Sequence, residues 1–358
     1  MAEQLKHMFS ADFVNSLSSE IKRQYTKFDK KKFTSDILNS GWNGKELKDR
    51  MHHVTKMMHK HIPEKFERQV EILNIAAPKF TGFTGTVFPN FIEHFGTDEI
   101  DLSMETLKYY TRFSTSEFAV RPFLKKDPEL IKLFYDWADD KNFHVRRLAS
   151  EGCRPLLPWA MKLDHFVKNP DFILPILEKL KTDKEDYVYR SVANNLNDIS
   201  KNHPDLVLKL GKKWAGKSET TDWVLKHALR TLLKKGNPDA LKIFGFSENK
   251  KIKLEAAELE KKSLKIGQST RLKFAVKNSG KEDNLRIEYK VFYHKKNGSY
   301  TQKVFQVSEK KIKSDELLEF DKKIDFKDLS TRKHYPGIHY IEIILNGIPS
   351  VKLELELK

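Results

Sequence analysis

A helix-start motif recurs four times in the chain, at residues 127–131, 169–173, 203–207 and 237–241. Each copy has a polar residue that can cap a helix, then proline, an acidic residue and two apolar residues. Proline is favoured at the first helical position, where its missing N–H would have no partner, and the helix dipole favours an acid in the first turn. The four prolines are 34 to 42 residues apart, so the sequence predicts a regular array of helices.

The first three motifs are each followed by a second predicted helix, at residues 145–149, 188–193 and 224–228. Two helices in each repeat of this length are typical of HEAT-like repeats, which stack into an α-solenoid with a concave binding face. We expect the second helices to line that face and to carry a stripe of basic side chains. The stripe comprises Arg146, Arg147, Arg190, Lys226 and Arg230.

After about residue 249, alternation of apolar and polar residues replaces the helical pattern. Seven short segments alternate in this way, among them residues 270–276 and 351–357, and turn-forming residues separate them. The pattern predicts a small all-β sandwich of the immunoglobulin type. The predicted fold class is therefore mainly α, a HEAT-like α-solenoid followed by an immunoglobulin-like sandwich. The predicted domains are residues 1–248 and 249–358.

The charge of the chain points to a polyanionic partner. Lys and Arg number 66 against 50 Asp and Glu, a formal net charge of +16, which favours nucleic acid first and anionic membrane surfaces second. A lysine-rich surface without such a partner is the alternative. No apolar stretch approaches the roughly 18–20 residues that span a bilayer, and the N-terminal residues do not predict a signal peptide. The single cysteine, Cys153, excludes an intramolecular disulfide, so we expect a cytoplasmic protein.

Four histidines in one predicted helix raise the alternative of a metal site: His52, His53, His59 and His61. Imidazoles on a helix bind zinc when they share a face and a carboxylate or thiolate completes the ligand set. Here the spacing is irregular and the segment H-E-x-x-H does not occur. We therefore expect a surface helix, with no metal and no other cofactor.

Residues 143–159 combine three arginines with one acid and one tryptophan. Glu151 lies between Arg147 and Arg154, although a carboxylate facing a phosphate backbone would weaken binding. It would be useful there if it stabilised a sugar oxocarbenium ion or positioned a water molecule. The alternative is that the acid pairs with a neighbouring arginine and orders it. Two further acids near arginines allow the same two interpretations, Glu117 and Asp198.

Trp159 directly follows the segment 155–158, which contains two prolines and would fix the position of the indole. One interpretation is a platform that stacks against a cationic base or a sugar. The other is packing in the core, where most tryptophans are largely buried.

Three segments resemble the AlkC branch of the HEAT-repeat DNA alkylation repair glycosylases: residues 146–159 (RRLASEGCRPLLPW), 111–123 (TRFSTSEFAVRPF) and 192–200 (VANNLNDIS). Residues 46–51 and 88–91 are similar as well. The resemblance covers the helical part to about residue 246 and extends to a C-terminal immunoglobulin-like domain, which only some members carry. The segment around Glu151 is the most specific.

The resemblance implies a monofunctional hydrolase that removes the cationic N3-alkylated bases 3-methyladenine and 3-methylcytosine from duplex DNA. It implies hydrolysis of the N-glycosidic bond without capture of a flipped base. The implied catalytic acids are Glu151, Glu117 and Asp198, the implied aromatic residue at the lesion is Trp159, and the implied phosphate contacts are Arg147 and Arg154.

The chemistry agrees with this set of residues. A base alkylated on N3 is already positively charged and can leave without protonation by a general acid, so no metal or redox cofactor is expected. The expected partner is double-stranded DNA, with no membrane partner, and the expected protein is a monomer in the cytoplasm of a bacterium, at the nucleoid. The alternative function is a non-catalytic HEAT-repeat scaffold that binds DNA or an acidic protein.

Overall fold

The computed structural model describes residues 5–358, which form two compact units. One unit runs to His203 and takes in Gly216–Ala228. The other comprises Pro204–Ala215 and Leu229–Lys358, and so contains helices as well as the strands. The domain boundary between residues 248 and 249 stays a prediction.

The helices are α1 (Ala11–Gln24), α2 (Lys30–Ile37), α3 (Leu47–His61), α4 (Phe66–Ala76), α5 (Val87–Phe95), α6 (Ile100–Tyr110), α7 (Arg121–Lys126), α8 (Ile131–Trp137), α9 (Phe143–Gly152), α10 (Asp164–Lys168), α11 (Leu174–Leu180), α12 (Asp186–Ile199), α13 (Pro204–Trp214), α14 (Glu219–Ala228), α15 (Arg230–Lys234) and α16 (Pro238–Ile243). Short 3₁₀ turns occupy Ala77–Lys79, Thr84–Thr86, Pro128–Leu130 and Pro170–Phe172.

The four proline motifs begin helical segments, as predicted. Side chains of three preceding residues cap them: Asp127 accepts from the Glu129 N–H, and Asn169 and Asn237 cap their own segments in the same way. The first two motifs form a 3₁₀ turn before α8 and α11 begin, whereas the last two open directly into α13 and α16.

The predicted second helices α9, α12 and α14 lie side by side, with α12 in the middle. Each of these helices carries fully buried apolar side chains, for example Leu148, Val192 and Leu225. Burying a side chain of this size contributes about 1.5–3 kcal/mol. The row therefore gives a rigid support to the polar residues that the same helices carry.

The strands are β1 (Ile252–Leu259), β2 (Ser263–Leu264), β3 (Ser269–Asn278), β4 (Asp283–His294), β5 (Tyr300–Ile312), β6 (Leu317–Asp325), β7 (Gly337–Leu345) and β8 (Ile348–Leu357). They form a three-stranded sheet in the order β1-β3-β6 and a five-stranded sheet in the order β2-β8-β7-β4-β5. Every pairing is antiparallel except that of β2 with β8. All seven predicted strands are present, and only the two-residue β2 was missed.

Alternation places one face of each sheet in a shared apolar core, as Leu272, Phe274 and Val276 of β3 show. Asn346 and Gly347 join β7 to β8 and both have positive φ, 45° and 81°, as a two-residue hairpin turn requires. This turn packs against Gly236 and Leu241, which explains why α16 belongs to the same compact unit as the sheets.

In the described part of the chain, no helix has both the length and the apolar character needed to cross a membrane.

Candidate active site

Glu151 lies in the last turn of α9 and both of its carboxylate oxygens accept hydrogen bonds. Arg154 Nη1 donates to Glu151 Oε1 at 2.7 Å, and Ser191 Oγ donates to Oε2 at 2.6 Å. The residue is only 6% exposed. The side chain of Asn142 caps the start of α9 by accepting from the His144 N–H, and α9 ends at Gly152, so Arg154 lies just beyond the helix and turns back to Glu151.

Two arginines join Glu151 to the other two predicted acids. Arg147 Nη1 donates to Glu117 Oε2 at 3.1 Å, while its Nη2 lies 3.7 Å from Glu151 Oε1. Arg154 Nε donates to Asp198 Oδ2 at 2.9 Å. The five residues thus form one continuous network, which we call the carboxylate–arginine cluster: Glu117, Arg147, Glu151, Arg154 and Asp198.

The cluster carries one more carboxylate than arginine, and it is almost entirely enclosed. Side chains of its members are 3% to 12% exposed. Burial alone would lower the pKa of Arg147 and of Arg154, but the facing carboxylates outweigh burial and raise both pKa values. Both arginines therefore stay charged, because an unpaired buried charge is costly and a paired one is tolerated. Lys201 adds a more exposed cation at the edge, where its Nζ donates to Asp198 Oδ1 at 2.9 Å.

The acids come from three separate parts of the helical unit. Glu117 lies between α6 and α7, Glu151 on α9 and Asp198 near the end of α12. Polar contacts fix α9 against α12 at this point, because Asn195 Nδ2 donates to the Ser150 carbonyl at 2.8 Å and the hydroxyl oxygens of Ser150 and Ser191 lie 3.0 Å apart. Three carboxylates from separate elements are thereby fixed at one place in the helical unit.

Trp159 is on the surface, which excludes the alternative of core packing. It is 66% exposed and has a φ of 64°. This left-handed conformation costs a residue other than glycine about 1–2 kcal/mol. An exposed aromatic side chain on a strained backbone is a candidate for a functional role, and the role of Trp159 at the lesion stays a prediction.

Arg121 also helps to build the site. The sequence showed only that it lies near Glu117 and did not predict this structural role. Its side chain is fully buried, and burial lowers its pKa to about 10. Nη1 donates to the carbonyls of Gly152 and Arg154 at 3.0 and 2.8 Å, and Nε and Nη2 donate to that of Met161 at 2.9 and 2.6 Å. Arg121 therefore fixes the chain on both sides of Trp159.

A cavity of about 480 Å³ adjoins Trp159 and is lined mainly by apolar side chains, including Leu47, Pro89 and Phe118. Thr115 is also part of its wall, and its Oγ1 accepts from Arg147 Nη1 at 3.2 Å. The cavity therefore borders the carboxylate–arginine cluster.

The other predicted DNA-contacting residues lie outside the cluster. Arg146 forms a bidentate ion pair with Asp183, in which Nε donates to Oδ2 at 2.6 Å and Nη2 donates to Oδ1 at 3.0 Å. Arg190 is exposed, pairs with Asp186 at 3.1 Å and lies over the Trp223 ring at 5.0 Å. Lys226 is on α14 and Arg230 opens α15. A role of these four residues in DNA contact stays a prediction.

Neither a metal centre nor a cysteine nucleophile is indicated among residues 5–358. They contain no group of three or more His, Cys, Asp or Glu side chains arranged to hold a metal ion. The predicted histidine helix is α3, where His61 contacts Asp36 at 2.9 Å and the His59 ring stacks on Phe95. Cys153 is fully buried, which raises the pKa of its thiol to about 12.

Two family models match the chain. The model described as a DNA alkylation repair enzyme matches residues 106–232. The model described as the C-terminal Ig-like domain of the uncharacterised protein YhaZ matches residues 253–358. The two matches confirm the predicted change from a helical part to an immunoglobulin-like domain.

Two relatives are similar over their whole length. The uncharacterized protein YhaZ of Bacillus subtilis (strain 168) is 40% identical over 354 residues, 99% of each chain. A solved structure, alkylpurine DNA glycosylase AlkC of Pseudomonas fluorescens bound to DNA containing an abasic site analog, is 33% identical, with a TM-score of 0.95 and 99% of both chains covered.

Proposed function

The chain belongs to the AlkC-type family of DNA alkylation repair enzymes, and we propose that it is a DNA glycosylase. The proposed substrates are cationic N3-alkylated bases in duplex DNA, 3-methyladenine and 3-methylcytosine. The proposed reaction is monofunctional hydrolysis of the N-glycosidic bond, without capture of a flipped base and with the protein acting as a monomer on the DNA of the nucleoid.

The carboxylate–arginine cluster is the observation that supports this proposal. Breaking the bond to an alkylated base leaves positive charge on the deoxyribose, which carboxylates fixed nearby stabilise. Water then adds its oxygen to C1′ and loses a proton to a carboxylate, while the base departs neutral with the bonding electron pair. Three acids gathered at one place supply the fixed carboxylates that this step requires, and Arg147, Arg154 and Lys201 hold them in position.

We assign the central role to Glu151, because it contacts both arginines of the cluster and accepts from Ser191. Glu117 and Asp198 then add negative charge on either side. Trp159 would stack against the cationic base or its sugar, since an exposed aromatic face attracts a cation.

Two groups of basic residues would hold the duplex. Arg147 and Arg154 would contact the phosphates that flank the lesion, since their charged groups border the proposed catalytic acids. The remaining predicted contacts would follow the backbone without reading sequence. They are Arg146, Arg190, Lys226 and Arg230, of which Arg146 is the most firmly engaged elsewhere, by Asp183.

The test is a measurement of bases released from methylated duplex DNA, by mass spectrometry, with the wild type and Glu151→Gln. We expect the wild type to release 3-methyladenine and 3-methylcytosine. We expect Glu151→Gln to release them at least about a hundredfold more slowly, since removal of one electrostatic group from a preorganised site typically costs 10²–10³-fold. Affinity for a duplex with an abasic site should stay nearly unchanged.

Glu105→Gln is the matched control, because Glu105 is an exposed acid on α6 and its substitution removes the same charge. It should release bases at the wild-type rate. The competing class of function, a non-catalytic scaffold for DNA or an acidic protein, predicts no release even with protein in excess over substrate. Full activity of Glu151→Gln would contradict the central role assigned to Glu151, but it would not contradict the glycosylase function itself.

A further inference from the structure

The strained backbone of Trp159 is held by a contact from a distant helix. Lys48 Nζ donates to the Trp159 carbonyl at 2.6 Å, although the two residues are 111 positions apart in sequence. Lys48 lies in the first turn of α3 and is exposed. An exposed lysine would normally extend into solvent, so this contact needs an explanation.

The contacts of Arg121 do not include the residue that is strained. Arg121 binds the carbonyls of Gly152, Arg154 and Met161, before and after Trp159. The carbonyl of Trp159 itself is bound by Lys48. A left-handed conformation of a bulky residue persists only when its surroundings enforce it, and Lys48 supplies that restraint at the strained peptide.

Lys48 also reaches the segment that carries one of the proposed catalytic acids. Its Nζ lies 5.9 Å from the centre of the Phe118 ring, a cation–π distance. Phe118 directly follows Glu117, whose carboxylate belongs to the carboxylate–arginine cluster. One ammonium group therefore touches the loop of Trp159 and the neighbour of Glu117 at the same time.

We propose that Lys48 is a positioning residue. It keeps the indole of Trp159 in a fixed position relative to the carboxylate–arginine cluster during base excision. This inference rests on the proposed glycosylase function. Without the Lys48 donor, the Trp159 peptide can relax to a right-handed or extended conformation, and the indole changes direction. The consequence is a lower rate of bond cleavage, with the affinity for undamaged DNA unchanged.

The first test is a double-mutant cycle of single-turnover excision with Lys48→Met, Trp159→Ala and the double variant. Lys48→Met should slow excision by about tenfold, because small misplacements of positioning groups have effects of this order or larger. In the Trp159→Ala background the same substitution should add no more than about twofold, since coupled residues lose their effects together. Lys48→Arg keeps a donor and should restore part of the rate.

A phosphate contact is the rival explanation for an exposed lysine, and salt dependence separates the two. Loss of a phosphate contact lowers the slope of log affinity against log salt by about one, whereas loss of a positioning contact leaves the slope unchanged. Lys56→Met, at another exposed lysine of α3, is the control for the change in charge. An equal loss of rate in both Trp159 backgrounds, or a reduced salt slope, would overturn the proposal.

A second measurement does not depend on glycosylase activity. In protein labelled with 5-fluorotryptophan, the ¹⁹F resonance of Trp159 is assigned from its absence in Trp159→Phe. Lys48→Met should move this resonance and leave those of Trp42, Trp137 and Trp214, which are buried, in place. If the wild type released no base but the resonance moved, the proposed function alone would fail. An unmoved resonance would overturn the role of Lys48.

Discussion

Buried arginines meet several carboxylates both in the helices and in the β-sandwich of the described chain. In the helical unit, Arg147 and Arg154 join three acids. In the sandwich, Arg286 pairs with Glu288 and Glu309. Arg286 is 3% and Glu288 1% exposed, so this pair is at least as deeply buried as the helical cluster, although the Glu309 side chain is 19% exposed. Burial and pairing of charges therefore do not by themselves mark a functional site.

The two groups differ in how they are assembled and in what surrounds them. Glu288 is on the same strand as Arg286, and the register of β4 and β5 places Glu309 directly opposite that arginine, so ordinary strand pairing explains the whole group. The acids of the helical cluster instead converge from three segments beside an exposed, strained Trp159 and an apolar cavity. Such convergence is what a site for chemistry needs and what an ion pair for stability does not.

Among the substitutions that test this difference between the two groups, the one at Asp198 should have the largest effect on base excision. Asp198→Asn removes one acid from the cluster and the partner of Arg154 Nε, so excision of 3-methyladenine should fall by about 10²–10³-fold. Single-turnover release with protein in excess measures it. Asp186→Asn is the control on the same helix, where the acid forms an exposed pair with Arg190 and should change the rate by less than about fivefold. Equal effects of the two substitutions would contradict a special role of the cluster.

The sandwich group should behave in the opposite way. Glu288→Gln leaves Arg286 with Glu309 alone, and breaking a buried pair costs about 3 kcal/mol or more in the free energy of unfolding. Urea denaturation followed by circular dichroism measures this loss. The folded variant should excise bases at the wild-type rate. Glu282→Gln, which removes an exposed acid paired with Lys311, should leave stability nearly unchanged. Loss of excision in folded Glu288→Gln would break the contrast between the two groups.

Most of the fold could be predicted because local sequence patterns determine its helices and strands. The proline motifs mark helix starts through contacts within one turn, as the cap of Asp127 shows. The alternation in β3 fixes which side chains face the core over a few consecutive residues. By contrast, β2 is two residues long and exists through its pairing with β8 almost a hundred residues away. No local pattern could predict it.

The candidate site was predictable only in part, for the same reason. The acids stood out from the sequence because each lies near an arginine, but only Glu151 contacts the arginines near it. Glu117 and Asp198 instead contact arginines that are 30 and 44 positions away. The residues that hold the site together were not predicted. Arg121 and Met161 are 40 positions apart, and Lys48 and Trp159 are 111 apart. A single arginine or lysine in a helix gives no indication, in the sequence alone, of contacts with residues so far away.

Ser191 gives the smallest and most specific of the expected effects. Its hydroxyl donates to Glu151 Oε2 at 2.6 Å and is nearly fully buried. A hydrogen bond to a charged group contributes about 1.5–3 kcal/mol, part of which orients the carboxylate. Ser191→Ala should therefore slow single-turnover excision by about five- to tenfold, and the loss should persist at saturating DNA.

A general loss of stability would be the competing explanation, and Ser103→Ala tests it. Ser103 is also fully buried, but its hydroxyl donates to the neutral carbonyl of Gly96 at 2.7 Å. Both substitutions should lower the unfolding midpoint in urea, Ser191→Ala by the larger amount, since a buried hydrogen bond to a charged group contributes more than one to a neutral carbonyl. Only Ser191→Ala should slow excision. If Ser103→Ala slowed it equally, the rate would follow stability, and the hydroxyl at Glu151 would have no part in the chemistry.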